Sequence, residues 1–339
     1  MRKLLTELAN LSGISGREGS VGNFVLEQLR ETADEVSVDK FGNVIALKRG
    51  SEDFSVMLAA HMDEIGLVVE KVDGEGFSYP SSVGGWDPRV LVGKPVRSEK
   101  GWGIVVAAPF ELLGEEERKR AVEYEDLFID GHGLRTGDFL SQDVEVAQLG
   151  TPDILVGKGF DDRAGVAVLI EAFRRLENQG ANVYGVATVQ EEVGARGAGV
   201  AAFKLNPDLA IVIEVALADD VPAGTPHTPV VRLGRGPAIT VKDASMISDQ
   251  NLTNFLMKVA NSKDIPYQLE VLDHGGTDAG RIHLTREGIP SSVIGVPTRY
   301  LHSPVEVLNI RDLENSTKLL TAALEELTKS AFDSFRSKG

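Results

Sequence analysis

VMLAAHMDEIG, residues 56–66, is the stretch whose reading decides the fold. It opens on an uninterrupted apolar run, the pattern of a strand covered on both faces in a parallel sheet. The run ends on His61 and Asp63, and beyond Asp63 the texture of the chain changes. From about 65 to 155, short β-like pieces alternate with glycine and proline, as in GKPVRSEKGWGIVVAAP (93–109) and LFIDGHGLRTGDFL (127–140). That is the pattern of a small β-rich domain. From about 156 the alternation of strands and helices resumes. The simplest parse is an α/β domain, residues 1–64 plus 156–339, with a central mostly parallel sheet flanked by helices. An inserted β-rich domain, 65–155, interrupts it.

Upstream of the opening stretch, the pattern predicts helices over about 1–11 and 19–33, then a strand, a turn at Phe41-Gly42-Asn43 and a second strand. Downstream it predicts a helix over 164–176, the strand VYGVATV (183–189), a Gly-rich helix start at 194–199 and the strand LAIVIEV (209–215). A loop carrying three prolines follows. Then come a helix over about 248–262, strands in YQLEVLD (267–273) and SSVIGVP (291–297), and a last helix over about 310–330.

The chain has 339 residues, too many for one ordinary core, and contains no cysteine. The second fact leaves no disulfide framework and fits the cytoplasm. Glu7 and Asn10 break the N-terminal run, so MRKLLTELANLSGISG reads as an amphipathic helix and not a signal peptide. No run of about 18 apolar residues predicts a membrane span. A net charge of -16 argues against nucleic acid and anionic membranes as partners, which need basic patches. It is compatible with cationic ligands such as free amino groups, and solubility alone is the plainer explanation. The charge run EEERKR (115–120) reads as a solvated helix or loop.

In open α/β sheets, sites form where the carboxyl ends of strands converge. His61, Glu191, Glu192 and His302 all stand at or just past such ends, and Glu214 closes a strongly apolar strand. Imidazoles and carboxylates without a thiol form a hard ligand set, suited to zinc, cobalt or manganese. There are more carboxylates than one tetrahedral ion needs, which points to two ions sharing a bridging aspartate and so to a hydrolase.

His61 and Asp63 are two residues apart and share a face on an extended backbone, so the carboxylate can accept the imidazole N–H and fix its tautomer. Asp161-Asp162 precedes a helix. Asp161 can bridge two ions about 3.5–4 Å apart, and Asp162 can cap the helix or support the ligands from behind. Arg163 is expected to hold a carboxylate. Two adjacent glutamates repel unless cations intervene, so Glu191-Glu192 suggests one carboxylate on metal and one free as a base. An exposed acidic turn is the alternative. Glu214 at a buried strand end needs a metal, or an Arg or Lys, as partner. Of the remaining histidines (132, 227, 274, 283), only His274 has acidic company, in Asp273 and Asp278. His274 and Asp278 are therefore candidate substrate contacts. No GxxxxGK[ST] loop, no GxGxxG between strand and helix and no GxSxG is present.

With AAHMDEIG (59–66), GKGFDDRAG (157–165), TVQEEVGARGA (188–198), IEVALADDVP (213–222), GGTDAG (275–280) and YLHSPVE (300–306) in family order, the chain resembles the tetrahedral aminopeptidases of metallopeptidase family M42. The resemblance covers nearly the whole chain. It implies a zinc-exopeptidase-like α/β domain interrupted by a small β-barrel-like dimerisation domain, and a two-metal enzyme, zinc or cobalt, trimming oligopeptides from the N-terminus. It also implies one metal on His61, Asp161 and Glu214, and a second on Asp161, Glu192 and His302, with Asp161 as the bridge. Glu191 would be the general base and Asp63 the group orienting His61. Dimers assembled into a dodecamer are implied as well. Many relatives carry Asp where this chain has Glu214, which bears on metal preference. The competing readings are another dinuclear amidohydrolase of deacylase type, an endoglucanase (a label some relatives carry) and a non-catalytic assembly protein. Carboxylates adjacent in sequence at a strand end are poorly placed to flank one glycosidic bond.

Overall fold

The structure, a computed structural model, describes residues 1–222, 228 and 230–336. Its spine is an 11-stranded sheet. Four strands at the centre run parallel: Asn182–Thr188, Ser55–His61, Leu209–Leu217 and Ser291–Arg299. Toward both edges the pairing turns antiparallel. The hairpin Glu35–Val38/Val44–Lys48 closes one side, and Glu306–Asn309, Ile154–Gly157 and Ala147–Gln148 close the other. Ala238–Lys242 and Gln268–Val271 branch from Ser291–Arg299.

Period-2 alternation explains why the central runs are apolar throughout. Val56, Leu58 and Ala60 face one helical layer, formed by Arg2–Asn10, Gly19–Arg30, Phe160–Arg175, Gln250–Ser262 and Ile310–Glu326. Met57 and Ala59 face the other, under Arg196–Leu205 and Ala279–Ile282. Packing leaves little slack. A Cβ on Gly185, in mid-strand, would lie 2.5 Å from the buried ring of Phe173.

The inserted stretch forms a closed six-stranded barrel in the order Gly66–Val72, Ser78–Val83, Leu127–His132, Trp102–Ala107, Pro95–Arg97, Phe139–Gln142. Closure removes exposed strand edges, and the barrel has its own core around Leu67, Val69, Val96, Val105, Ile129 and Leu140. The barrel begins at Gly66 and ends at Gln142, and the chain rejoins the large sheet at Ala147. Residues 115–120 are exposed and include a single short 3-10 turn, Glu117–Lys119.

Three elements differ from the sequence expectation. Ala238–Lys242 is a strand within the stretch read as loop; Pro237 and Asp243 bound it too closely for alternation to register. The helix expected from 164 is assigned from Phe160, but Asp161 and Asp162 depart from helical φ/ψ. The last helix breaks after Glu326 and resumes as Lys329–Arg336. Among the described residues no helix is long and apolar enough to cross a membrane.

Candidate active site

The parallel centre of the sheet delivers the site. His61 ends its strand beside Thr188, in register with it, and Glu214 lies near the end of the next strand over. The Asn182–Thr188 strand runs on into a turn in which Gln190 and Ala195 adopt left-handed φ (58° and 51°). The Gly194 and Ala195 amides donate to the Glu191 carbonyl there, so Glu191 and Glu192 project from a fixed corner.

Asp161 stands between two groups of side chains. His61 Nε2 is 3.0 Å from Asp161 Oδ1 and 3.7 Å from Glu214 Oε2. On the other side, His302 Nε2 is 3.6 Å from Asp161 Oδ2 and 3.5 Å from Glu192 Oε2. Each carboxylate oxygen of Asp161 therefore faces a different histidine, and each histidine also has a glutamate nearby. His61, Asp161 and Glu192 also offer ligand atoms within 4.8 Å of one another, as do His61, Asp162 and Glu214. Asp162 is otherwise engaged: it accepts the Gly165 amide at 2.8 Å, a helix cap, and the His61 amide at 3.3 Å.

The groups behind these residues fix their orientation. His61 Nδ1 donates to the backbone carbonyl of Asp63 at 3.1 Å, with the Asp63 carboxylate further off at 3.5 Å. The nearer partner of the ring is thus the main chain of Asp63 and not the carboxylate expected from sequence. The Asp63 carboxylate does something the sequence did not suggest. It accepts Ser15 Oγ at 2.6 Å and the amides of Glu191 (3.0 Å) and Glu192 (3.1 Å), so it pins the glutamate corner. His302 Nδ1 donates to the carbonyl of Gly85 at 2.8 Å, a residue of the barrel segment, which turns Nε2 toward Asp161. Glu306 accepts the Asp161 amide at 3.0 Å. Neither Gly85, Ser15 nor Glu306 was singled out by sequence, although Glu306 lies in the same motif as His302. Arg163 is fully buried and serves mainly carbonyls, those of Met62, Leu8, Leu11 and Gly13; its one carboxylate contact, Glu64, is at 3.8 Å.

So much buried acid creates an electrostatic problem. Burial, together with the charges of Asp278, Asp63 and Asp161, pushes the Glu191 carboxyl up to about 8. Burial and Asp161 hold Glu192 well above the usual range, and burial and Asp162 do the same to Glu214. Against its burial, the His61 imidazolium is strongly favoured by Glu214, Asp161 and Asp63. Asp63 overcomes burial through His61, Ser15 and the Glu191 amide, and its carboxyl stays below the ordinary value. Buried carboxylates facing one another become stable as anions when cations sit between them. Glu214 Oε2 is buried and accepts no hydrogen bond. The separations of 3.0–3.7 Å bracket the edge of about 3.3 Å expected for nitrogen and oxygen ligands about 2.0–2.1 Å from a tetrahedral ion. The donor set, the orphaned oxygen and the spacing all fit divalent metal.

A cavity of about 480 Å³ opens over Asp161, Glu191, Glu192, Glu214 and His302. A second, of about 330 Å³, adjoins it and shares Asp161, Glu214 and His302. His274 lines the second cavity. Asp278 lines neither; it is buried, accepts the Thr188 hydroxyl, and its carboxyl is pushed up to about 6 by burial. His227 lies outside the described residues.

A profile of the M42 glutamyl aminopeptidase family matches residues 42–319. The chain belongs to peptidase family M42. A putative aminopeptidase of Acetivibrio thermocellus is 39% identical over 96% of this chain and 98% of its own. The structure resembles that of a TET aminopeptidase from a marine sediment archaeon (Thaumarchaeota archaeon SCGC AB-539-E09), with a TM-score of 0.95 and 39% identity over 98% of each chain. The TET1 peptidase of Pyrococcus horikoshii, which can assemble into a tetrahedron or a large octahedral shell, matches with a TM-score of 0.84 and 32% identity, covering 96% of this chain and 99% of that one. Membership of M42 makes this chain an aminopeptidase, a peptide hydrolase that depends on divalent metal. The fold expected from sequence, an α/β sheet domain with an inserted barrel, is the fold of these relatives.

Proposed function

We propose that the chain is a co-catalytic two-metal aminopeptidase that removes N-terminal residues from oligopeptides. The observation that supports this reading is Asp161, whose two oxygens lie 3.0 and 3.6 Å from His61 and His302, each of which is within 3.7 Å of a glutamate. His61, Asp161 and Glu214 would hold one ion and Asp161, Glu192 and His302 the other, zinc or cobalt by the hardness of the donors. Such a pair, when bound, polarises a scissile carbonyl and makes water acidic near neutral pH. The chain's own residues supply the rest. Glu191 lines the cavity and stands outside both ligand groups, so its carboxylate is free to take the proton from the attacking water and return it to the leaving amine. Asp63 keeps that carboxylate in place through the Glu191 amide and holds the Glu192 ligand through the next one. A peptide's free α-ammonium would be drawn to the acidic cavity, which favours N-termini over internal bonds.

Residues 65–155, with the closed barrel, would form the dimerisation domain, and dimers would assemble into a dodecameric shell like that of the TET relatives. The cytoplasm is the compartment that fits a cysteine-free chain. Glu191→Gln tests the mechanism. It should keep two metals per subunit by elemental analysis while kcat falls by three orders of magnitude or more. Turnover near wild type would reject Glu191 as the base. Peptidase activity that survives exhaustive chelation would reject the metals' role.

A further inference from the structure

The cavity of about 330 Å³ beside the ligand groups has a composition that the hydrolytic chemistry does not use. Its walls include Leu217, Leu272, Val293 and Leu301, while Glu270 and Asp243 also line it. Both acids are buried, at 3% and 4% exposure. Glu270 spends one oxygen on the Thr240 hydroxyl at 2.8 Å, and Asp243 spends one on the Ser245 amide and hydroxyl and the Met246 amide. The second oxygen of each, Glu270 Oε1 and Asp243 Oδ2, accepts no hydrogen bond. None of the described lysines or arginines forms an ion pair with either. Lys242, on the same strand as Thr240, is taken by Asp273 at 2.8 Å and by the Leu272 carbonyl. Burial, reinforced by the charges of Asp243 and Asp219, raises the Glu270 carboxyl to about 7, as expected for an acid without a cation at hand.

Buried acceptors that no protein donor satisfies cost stability, and a pocket keeps them where a ligand's donor completes the pairing. Apolar walls with unpaired carboxylates among them suit a long methylene stem carrying a positive head. The cavity adjoins the ligand groups through Asp161, Glu214 and His302, so a peptide whose first carbonyl lies at those groups can extend its N-terminal side chain into it. Building on the aminopeptidase reading, we propose that this cavity receives the side chain of the substrate's N-terminal residue and selects lysine or arginine, with Glu270 as the specificity-determining residue and Asp243 beside it.

The test uses the metal-loaded full-length enzyme and a panel of lysyl, arginyl, leucyl and glutamyl reporter amides. The lysyl and arginyl substrates should exceed leucyl at least 10-fold in kcat/KM, with glutamyl last. Leucyl or glutamyl turnover equal to lysyl overturns the assignment. In Glu270→Gln, the lysyl-to-leucyl ratio of kcat/KM should fall roughly 10- to 100-fold, the scale of one charge-assisted hydrogen bond, mainly through KM. An unchanged ratio overturns it. Should that variant not fold, the wild-type enzyme decides: lysinamide should inhibit at least 10-fold more tightly than norleucinamide, which has a similar stem without the charge, and equal inhibition overturns the assignment. A panel with no turnover of any reporter would instead remove the aminopeptidase reading, and this one with it.

Discussion

Gly85→Ala is the sharpest perturbation this structure offers, because it tests how a residue in the barrel segment orients His302, a proposed metal ligand. A Cβ at position 85 would lie 3.0 Å from His302 Nδ1 and 3.4 Å from its Cε1. Carbon and nitrogen pack comfortably at about 3.5–4.0 Å, so the ring must retreat by roughly 0.5 Å or tilt away. Its hydrogen bond to the Gly85 carbonyl, now 2.8 Å, would stretch beyond about 3.2 Å and lose most of its directing force. Productive geometry at such sites tolerates about 0.5 Å, and disturbing a partner behind a metal ligand typically costs 10- to 100-fold in metal affinity or activity. The His302 side chain is 44% exposed and can swing toward solvent without straining the core. We expect kcat to drop roughly 10- to 100-fold, metal content after dialysis to fall below two per subunit, and the thermal midpoint to move by no more than about 2 °C. Stoichiometry can be read by elemental analysis and kcat at saturating metal. Full metal retention with kcat within twofold of wild type would refute the link between Gly85 and His302. A collapse of the thermal midpoint would show instead that Gly85 matters to barrel folding.

Three further outcomes follow from other parts of the molecule. Replacing Arg163 by Met leaves the carbonyls of Met62, Leu8 and Gly13 without their buried donor, so urea unfolding should show a loss of about 3 kcal/mol or more; a loss under about 1 kcal/mol would contradict the role given to the guanidinium. Asp312 is buried, which raises its carboxyl from 3.8 to about 6 although it accepts the Gly234 and Gly236 amides. The folded state therefore binds the proton more tightly than the unfolded one, and this group's contribution is full below about pH 4 and lost as pH rises through about 6. Asp312→Asn should flatten the stability profile across that window by roughly 2–3 kcal/mol, and an unchanged slope in denaturant titrations at pH 4 and 6.5 would argue against it. Stripping metal with a chelator should lower the thermal midpoint and re-addition of zinc or cobalt should restore it, by about 2.7 kcal/mol of stability at a hundredfold excess over Kd; a midpoint indifferent to metal would contradict binding at the buried acids.

The parts of this architecture visible in sequence were those written in local pattern. The double-sided apolar runs around Val56–Ala60 and Leu209–Ile213 announced central parallel strands, and the residues ending such runs, His61, Glu214 and the Glu191-Glu192 corner, announced a convergent site. What stayed hidden depends on contacts across long stretches of chain. Gly85 and His302 are 217 residues apart, and Glu306 reaches back 145 residues to Asp161. No periodicity carries such pairings. Asp63 was read as a partner for the His61 ring because the two are neighbours in sequence. Its shorter contacts are with Ser15 and with amides 128 and 129 residues away. The Ala238–Lys242 strand was missed because five residues between a proline and an aspartate are too few to separate from loop. The Glu270 cavity, which depends on that strand, was missed with it.

The Ser15–Asp63 hydrogen bond has a practical corollary at the beginning of the chain. Residues 8–15 are clamped against the His61–Glu64 turn by Arg163, Lys158 and the Gly13 and Ser15 amides. That segment thus supports the site from behind, through the Ser15 hydroxyl on Asp63. An added N-terminal tag ends on Met1, outside the clamp. Trimming the first fifteen residues would instead remove the Ser15 hydroxyl from the Asp63 carboxylate that holds the glutamate corner. Loss of the segment before residue 16 should therefore remove activity and also lower stability, because Leu4, Leu5 and Leu8 leave the core of the sheet domain with it.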